Sequence, residues 1–297
     1  MERTTTHPEV GYPDLTRSAV EPSASTPRLR RFRFPVLFAA LFAMMVVFAG
    51  INRLVAPLPL LALPVGIGLA VAGVVVYRRL AKVVEGRVDV PELAPEGMWP
   101  GLRRGALLGG GLFTAVMALI LVFGGFDDVS SGSFFGALGI AGMMTGVAVA
   151  EEALFRGVLF RILEERTGTV IALVVSSLVF GGVHLVNGNA TLWGTLAIAL
   201  TGGTMLAAAY AVTRSLWLPI GLHFAWNFIQ GGVFGTVVSG SEEAPTGLLH
   251  TTLSGSSVLT GGAFGPEASL MALLVCLVAT VLLLRKAVRT GQIRPRP

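Results

Sequence analysis

The sequence is short of charge. Asp, Glu, Lys and Arg make up 13% of its 297 residues, roughly half the share of about 25% found in soluble globular proteins. So few charged side chains cannot cover a water-facing surface of normal size. With 53% hydrophobic residues and a mean hydropathy of +0.75, the composition excludes a soluble enzyme and a disordered chain. It predicts an all-α fold, a polytopic membrane protein of about eight transmembrane helices. Cysteine is almost missing: Cys276 stands alone in an apolar run, which excludes a disulfide framework or a cysteine-based metal site and reads as packing. Lysine is scarce as well, with only Lys82 and Lys286 among 22 basic residues. Beside abundant Gly, Ala and Val, that points to a GC-rich, bacterial genome. The net charge of +5 would suggest nucleic acid in a soluble protein. Here the basic residues cluster at the chain ends and between apolar runs, which is how membrane topology is written, and no nucleic-acid partner is needed.

Residues 1–34 read as a disordered cytoplasmic tail, Thr-, Ser- and Pro-rich and ending in Arg28, Arg30, Arg31 and Arg33. Arg30–Arg31 before an apolar stretch resembles a twin-arginine signal, but another long apolar run follows closely and an uncleaved first helix fits better. Residues 35–132 hold the first transmembrane helices and a basic interfacial loop over 78–104, which reads as meeting anionic headgroups. Residues 133–237 form a helical core, 238–266 an extracytoplasmic loop, and 267–297 a last helix with a basic cytoplasmic tail. With an inside N-terminus, every Lys and Arg except Arg53 falls on the inner half. That bias predicts an integral protein of a bacterial plasma membrane with both termini in the cytoplasm.

Ionisable side chains at a helix centre cost roughly 2.5 kcal/mol or more in lipid, so those inside a span need a reason. Three segments hold them: Glu151-Glu152-Ala-Leu-Phe-Arg156, Phe180-Gly-Gly-Val-His184 and His223-Phe-Ala-Trp-Asn227. His7 and His250 lie in the tail and an outer loop and read as solvated. At 1.5 Å per residue, Glu151 lies about 15–20 Å from the cytoplasmic end, His184 about 24 Å, His223 about 12 Å and Asn227 about 18 Å. All four can share one mid-membrane layer. Glu152 and Arg156 stand at i,i+4 and can pair, which leaves Glu151 free on another face. A carboxylate beside an imidazole can take a proton from water, and a second imidazole with a carboxamide can stabilise an oxyanion. The same Glu151, His184 and His223 are a ligand set for a zinc-like divalent metal, although the helical spacing H-E-x-x-H is absent. Polar hydrogen bonding between helices is the plainer reading of His184, His223 and Asn227. Pro219 is read as loosening one backbone bond beside His223 or as a plain kink, and Phe180 and Trp226 as cleft or core. Gly142-Met-Met-Thr-Gly146 is read as helix packing.

In that order on successive helices, E-E-x-x-x-R, F-x-x-x-H and H-x-x-x-N make the segment 133–237 resemble the CPBP intramembrane proteases. These comprise the type II CAAX prenyl endopeptidases and the bacteriocin-processing, Abi-type proteins. The resemblance implies an intramembrane endopeptidase acting on a peptide or membrane-protein segment, reached from the cytoplasm or laterally from lipid. It assigns Glu151 as general base, His184 as its partner on the water, and His223 with Asn227 as the oxyanion-stabilising pair. Glu152 and Arg156 take supporting roles. The family is called metalloprotease, yet a metal-free glutamate mechanism is also proposed for it, so the resemblance leaves the cofactor open. Prenylated C-terminal substrates are mainly eukaryotic and sit poorly with a bacterial composition. Two other classes fit the buried polar residues: a proton- or ion-coupled transporter, and a catalytically silent immunity or binding protein. No inverted repeat favours the transporter.

Overall fold

The computed structural model describes residues 30–297. The tail expected over 1–34 and His7 lie outside the described residues, except for 30–34, of which Arg33 and Phe34 open the first helix. Among the described residues, six stretches are long and apolar enough to cross a membrane. The chain runs through α1 (Arg33–Val55), α2 (Pro59–Glu85) and α3 (Met98–Val122). A two-stranded antiparallel ribbon pairs β1 (Phe126–Ser131) with β2 (Leu249–Leu253), a small addition to an otherwise helical fold.

The core follows as α4 (Phe134–Glu152), which continues through the π-helix Ala153–Phe160 into α5 (Arg161–Val183). This run extends over 53 residues to Val186, about 80 Å at 1.5 Å per residue, against a hydrocarbon core of about 30 Å. It breaks at Gly168, whose φ of 80° and ψ of 170° are not helical and suit glycine. Phe155 and Phe180, nearly equidistant from Gly168 in sequence, meet at 5.1 Å, so the chain folds back on itself there. Next come α6 (Leu192–Ile198) and α7 (Thr204–Thr213), joined by the π-helix Ala199–Gly203. Then α8 (Trp217–Asn227, 11 residues) is lengthened by the 6-residue π-helix Phe228–Val233, and α9 (Leu270–Arg289) ends the bundle. The expected count of eight is reached only when the hairpin is counted as two helices and the short α8 is included. Because α8 starts at Trp217, Pro219 sits in its first turn, where no intrahelical N–H is required. It helps to begin the helix and does not kink it.

Small residues set the closest helix approach. A Cβ on Gly66 would lie 2.0 Å from the Gly142 carbonyl oxygen, so α2 and α4 touch backbone to backbone, as expected of the Gly142–Gly146 segment. The Arg-rich end of the bundle is tied by ion pairs. Arg161 Nη2 lies 2.7 Å from Glu85 and Arg87 Nη1 donates to Glu92 at 2.7 Å. Arg214 pairs with Glu164. The 86–97 connection also seats α8, since the Glu92 carbonyl accepts from Leu216 N at 2.8 Å and the Ala94 carbonyl from the Trp217 indole at 2.9 Å.

Burial alone would push the Glu92 carboxyl up, but hydrogen bonds from Arg87 and Tyr77 outweigh it and hold the group below its usual range. The folded state then binds that proton less tightly than the unfolded chain. The resulting stabilisation is complete above the ordinary carboxylate pKa of about 4.3 and is lost as pH falls through the folded value. Glu92→Gln is expected to flatten the decline of the thermal midpoint in acid, measured in detergent between about pH 6 and pH 3.

Candidate active site

Glu151 and Glu152 close α4 about 100° apart around the helix and meet different neighbours. Glu152 is wholly buried, and its Oε1 accepts from Arg156 Nη1 and from His223 Nδ1, each at 2.8 Å. The second arm of Arg156 donates to the Gly203 carbonyl at 3.0 Å. That carbonyl lies in the π-helix Ala199–Gly203, whose wide turn departs from the regular α ladder. The guanidinium also stands 4.6 Å from the centroid of the Phe180 ring, a cation–π distance. The Glu152–Arg156 pair anticipated from spacing is therefore present. It also holds one nitrogen of His223, which spacing did not indicate.

Glu151 faces the other way. Its Oε2 is buried without a hydrogen-bond partner in the protein and lies 3.8 Å from His223 Nε2. His184 follows the last turn of α5, where its Nδ1–H donates to the Phe180 carbonyl at 2.8 Å, leaving Nε2 as the free ring nitrogen. Phe180 is the wedge between the histidines, with ring centroids 5.0 Å from His184 and 6.0 Å from His223. Gly181 lets α5 approach α6, because a Cβ there would lie 2.5 Å from the Thr195 carbonyl oxygen. Gly182 meets nothing and has no such role.

Asn227 is one turn beyond His223, at the end of α8. Glu151, His184, His223 and Asn227 all line one cavity of about 530 Å³. A smaller space of about 20 Å³ borders His223 and Asn227 on the side of Trp226, Ser239 and Glu267, large enough for roughly one water. Trp226 is core, packed edge-on against Phe113 at 4.9 Å. His250 lies exposed on the ribbon, as expected.

Sequence reasoning passed over Glu267. It was taken as the first residue of the last span, yet it precedes α9 and is buried. Its carboxylate accepts from the Ser239 backbone N–H and from the Trp226 indole, the latter at 3.4 Å. Ser239 has a left-handed φ of 52°, unusual for a residue with a Cβ, and the carboxylate holds it there. The available signal was an acid at the head of an apolar run in a stretch without Lys or Arg. Glu267→Ala is expected to cost about 1.5–3 kcal/mol, the scale of a hydrogen bond to a charged group, read as a lower thermal midpoint in detergent. Glu267→Gln, which retains an acceptor oxygen, is expected to keep most of that stability.

Glu151, His184 and His223 are the ligand set that the sequence offers a metal. No group of three or more His, Cys, Asp or Glu side chains among the described residues is arranged to hold one. The three side chains share a cavity without forming a coordination cluster.

No curated protein and no solved structure matches the chain. A family model described as Type II CAAX prenyl endopeptidase Rce1-like matches residues 132–229, about a third of the sequence. The matched segment contains Glu151, Glu152, Arg156, His184, His223 and Asn227. The match over this core supports membership of the CPBP family of CAAX-type intramembrane proteases.

Proposed function

We propose that this protein hydrolyses a peptide bond of a membrane-associated polypeptide by water activated at Glu151 and His184. The observation that carries this reading is the buried, partnerless Oε2 of Glu151 in one cavity with His184, His223 and Asn227. A carboxylate oxygen kept out of bulk water with no protein donor is poised to receive a proton. In the proposed step a water between Glu151 and His184 Nε2 attacks the carbonyl carbon and gives its proton to Glu151. The oxygen of the tetrahedral intermediate accepts from the Asn227 amide and from His223 Nε2–H. His223 holds a proton on each nitrogen throughout the step, with Nδ1–H donating to Glu152 Oε1, and transfers neither. Glu151 returns the proton to the amide nitrogen as the C–N bond breaks, leaving a carboxylic acid and an amine, and the acid's proton passes to the amine to give carboxylate and ammonium.

Comparison of membrane-protein fragments by mass spectrometry, in cells expressing wild type or Glu151→Gln at matched levels, tests the reading. Fragments found only with wild type and reproduced by purified protein are expected; equal fragment patterns would sink it. Asn227→Ala is expected to slow cleavage by about 10²–10³-fold, the usual loss on removing one oxyanion donor, measured as the single-turnover rate on a substrate found in that comparison.

A further inference from the structure

A groove of about 500 Å³ runs between α3 and α9, away from Glu151. Its walls are Leu108 and Leu112 on α3 and, on α9, the stretch from Leu274 to Lys286. Every lining residue is aliphatic except Lys286, which ends the groove. Along α9 the wall rises about 18 Å at 1.5 Å per residue, more than half of a hydrocarbon core of about 30 Å. Leu274, Val278 and Leu282 form one stripe at i,i+4 spacing and are 50%, 59% and 58% exposed. Among the described residues, nothing covers them.

Positive charge stands at one end of this apolar slot. Lys286 lies in the last turn of α9, and Arg104 precedes Leu108 by one turn on the same face of α3. Both belong to the same end of the bundle. A Cβ on Gly105 would lie 2.2 Å from the Leu218 carbonyl oxygen in the first turn of α8, and Arg214, just before α8, donates to Gln292, just past α9. Neither α3 nor α9 contains an acid. Among the described residues Lys286 and Arg104 form no ion pair, whereas Arg33, Arg87, Arg161 and Arg214 each meet a glutamate. A lipid tail suits the slot, and an anionic headgroup suits the uncompensated cations. A zwitterionic headgroup would bring a cation of its own against them.

We infer that one anionic glycerophospholipid binds between α3 and α9, with an acyl chain along Leu112 and Val278 and its phosphate at Lys286 and Arg104. The lipid lies behind the helix that carries His223 and Asn227. A Cβ on Gly109 of α3 would lie 2.1 Å from the Leu222 carbonyl oxygen, and Phe113 packs on Trp226. On the other side α9 meets α7 through the Thr204 and Thr280 hydroxyls at 3.3 Å. A lipid in the groove joins these two walls and stabilises the folded state by mass action. The inference does not depend on the chemistry at Glu151.

Native mass spectrometry of the full chain in detergent tests it, with dioleoyl phosphatidylglycerol and dioleoyl phosphatidylcholine titrated at low ionic strength. Wild type is expected to hold one phosphatidylglycerol at least about fivefold more tightly than phosphatidylcholine. Lys286→Gln is expected to weaken phosphatidylglycerol about fivefold, and Lys286→Gln with Arg104→Gln about 25-fold, roughly a factor of five per cation. Neither should change phosphatidylcholine. Val278→Trp, which fills the groove, is expected to weaken both lipids. Lys82→Gln, at the end of α2 and outside the groove, is expected to bind like wild type. All these side chains are exposed, so the variants are expected to fold, and phosphatidylglycerol should raise the thermal midpoint of wild type more than that of Lys286→Gln. Equal binding of the two lipids, wild-type binding by Lys286→Gln or by Val278→Trp, or an equal loss in Lys82→Gln would each overturn the inference.

Discussion

Glu151→Gln is expected to lower the cleavage rate by about 10²–10⁴-fold, the range that a positioned general base contributes, with no loss of folded protein. The substitution keeps the shape and one acceptor oxygen and removes only the ability to take a proton. Structural damage should be small because Oε2 has no partner in the protein to lose, unlike Glu152, whose Oε1 serves both Arg156 and His223. A kinetic loss at an unchanged thermal midpoint would distinguish a base from a helix-bridging carboxylate. His184→Ala and His223→Ala are expected to abolish cleavage as well. They should differ in stability, because His223 is fastened to the buried ion pair, whereas His184 Nδ1 is held by the Phe180 carbonyl of its own helix. A Glu151→Gln enzyme with near-normal turnover would remove Glu151 from the chemistry.

Arg156→Ala is expected to destabilise the protein by about 3–5 kcal/mol, the scale for stranding one partner of a buried pair. Both residues are 0% exposed, so the carboxylate left behind is buried without its cation. The loss also frees the Gly203 carbonyl and the face of Phe180, which loosens the wedge between the two histidines. Activity should therefore fall along with the thermal midpoint. Glu152→Gln combined with Arg156→Met is expected to recover much of the stability, because replacing a whole buried pair by groups of similar volume is often neutral. The glutamine oxygen can still accept from His223 Nδ1. If Arg156→Ala unfolds at the wild-type midpoint in detergent, the pair is not a stabilising element of this fold.

Membrane residence and helical class were legible in the sequence because a bilayer tolerates few alternatives. Apolar runs of about 20 residues must become helices that satisfy their own backbone groups, and charges within them need a polar purpose. Glu151, His184, His223 and Asn227 stood out for that reason, and rise per residue alone placed them in one layer. Local spacing also anticipated the Glu152–Arg156 pair, since i,i+4 is fixed by helix geometry. It did not show that the Glu152 oxygen also grips His223, 71 positions away, because rotation of one helix against another depends on packing. The backbone contact of Gly66 with Gly142 sets α4 against α2, and the Phe180 ring packs against His223. Pro219 looked like a kink within a longer span until the start of α8 placed it in a first turn. The role of Glu267 was not legible in the sequence for a further reason. Its partners, Ser239 and Trp226, meet it only when the segment between α8 and α9 folds back over the bundle. Residue spacing determines neighbours within one helix, whereas the meeting of Glu151, His184, His223 and Asn227 at one cavity is a property of three packed helices, and only the tertiary structure decides it.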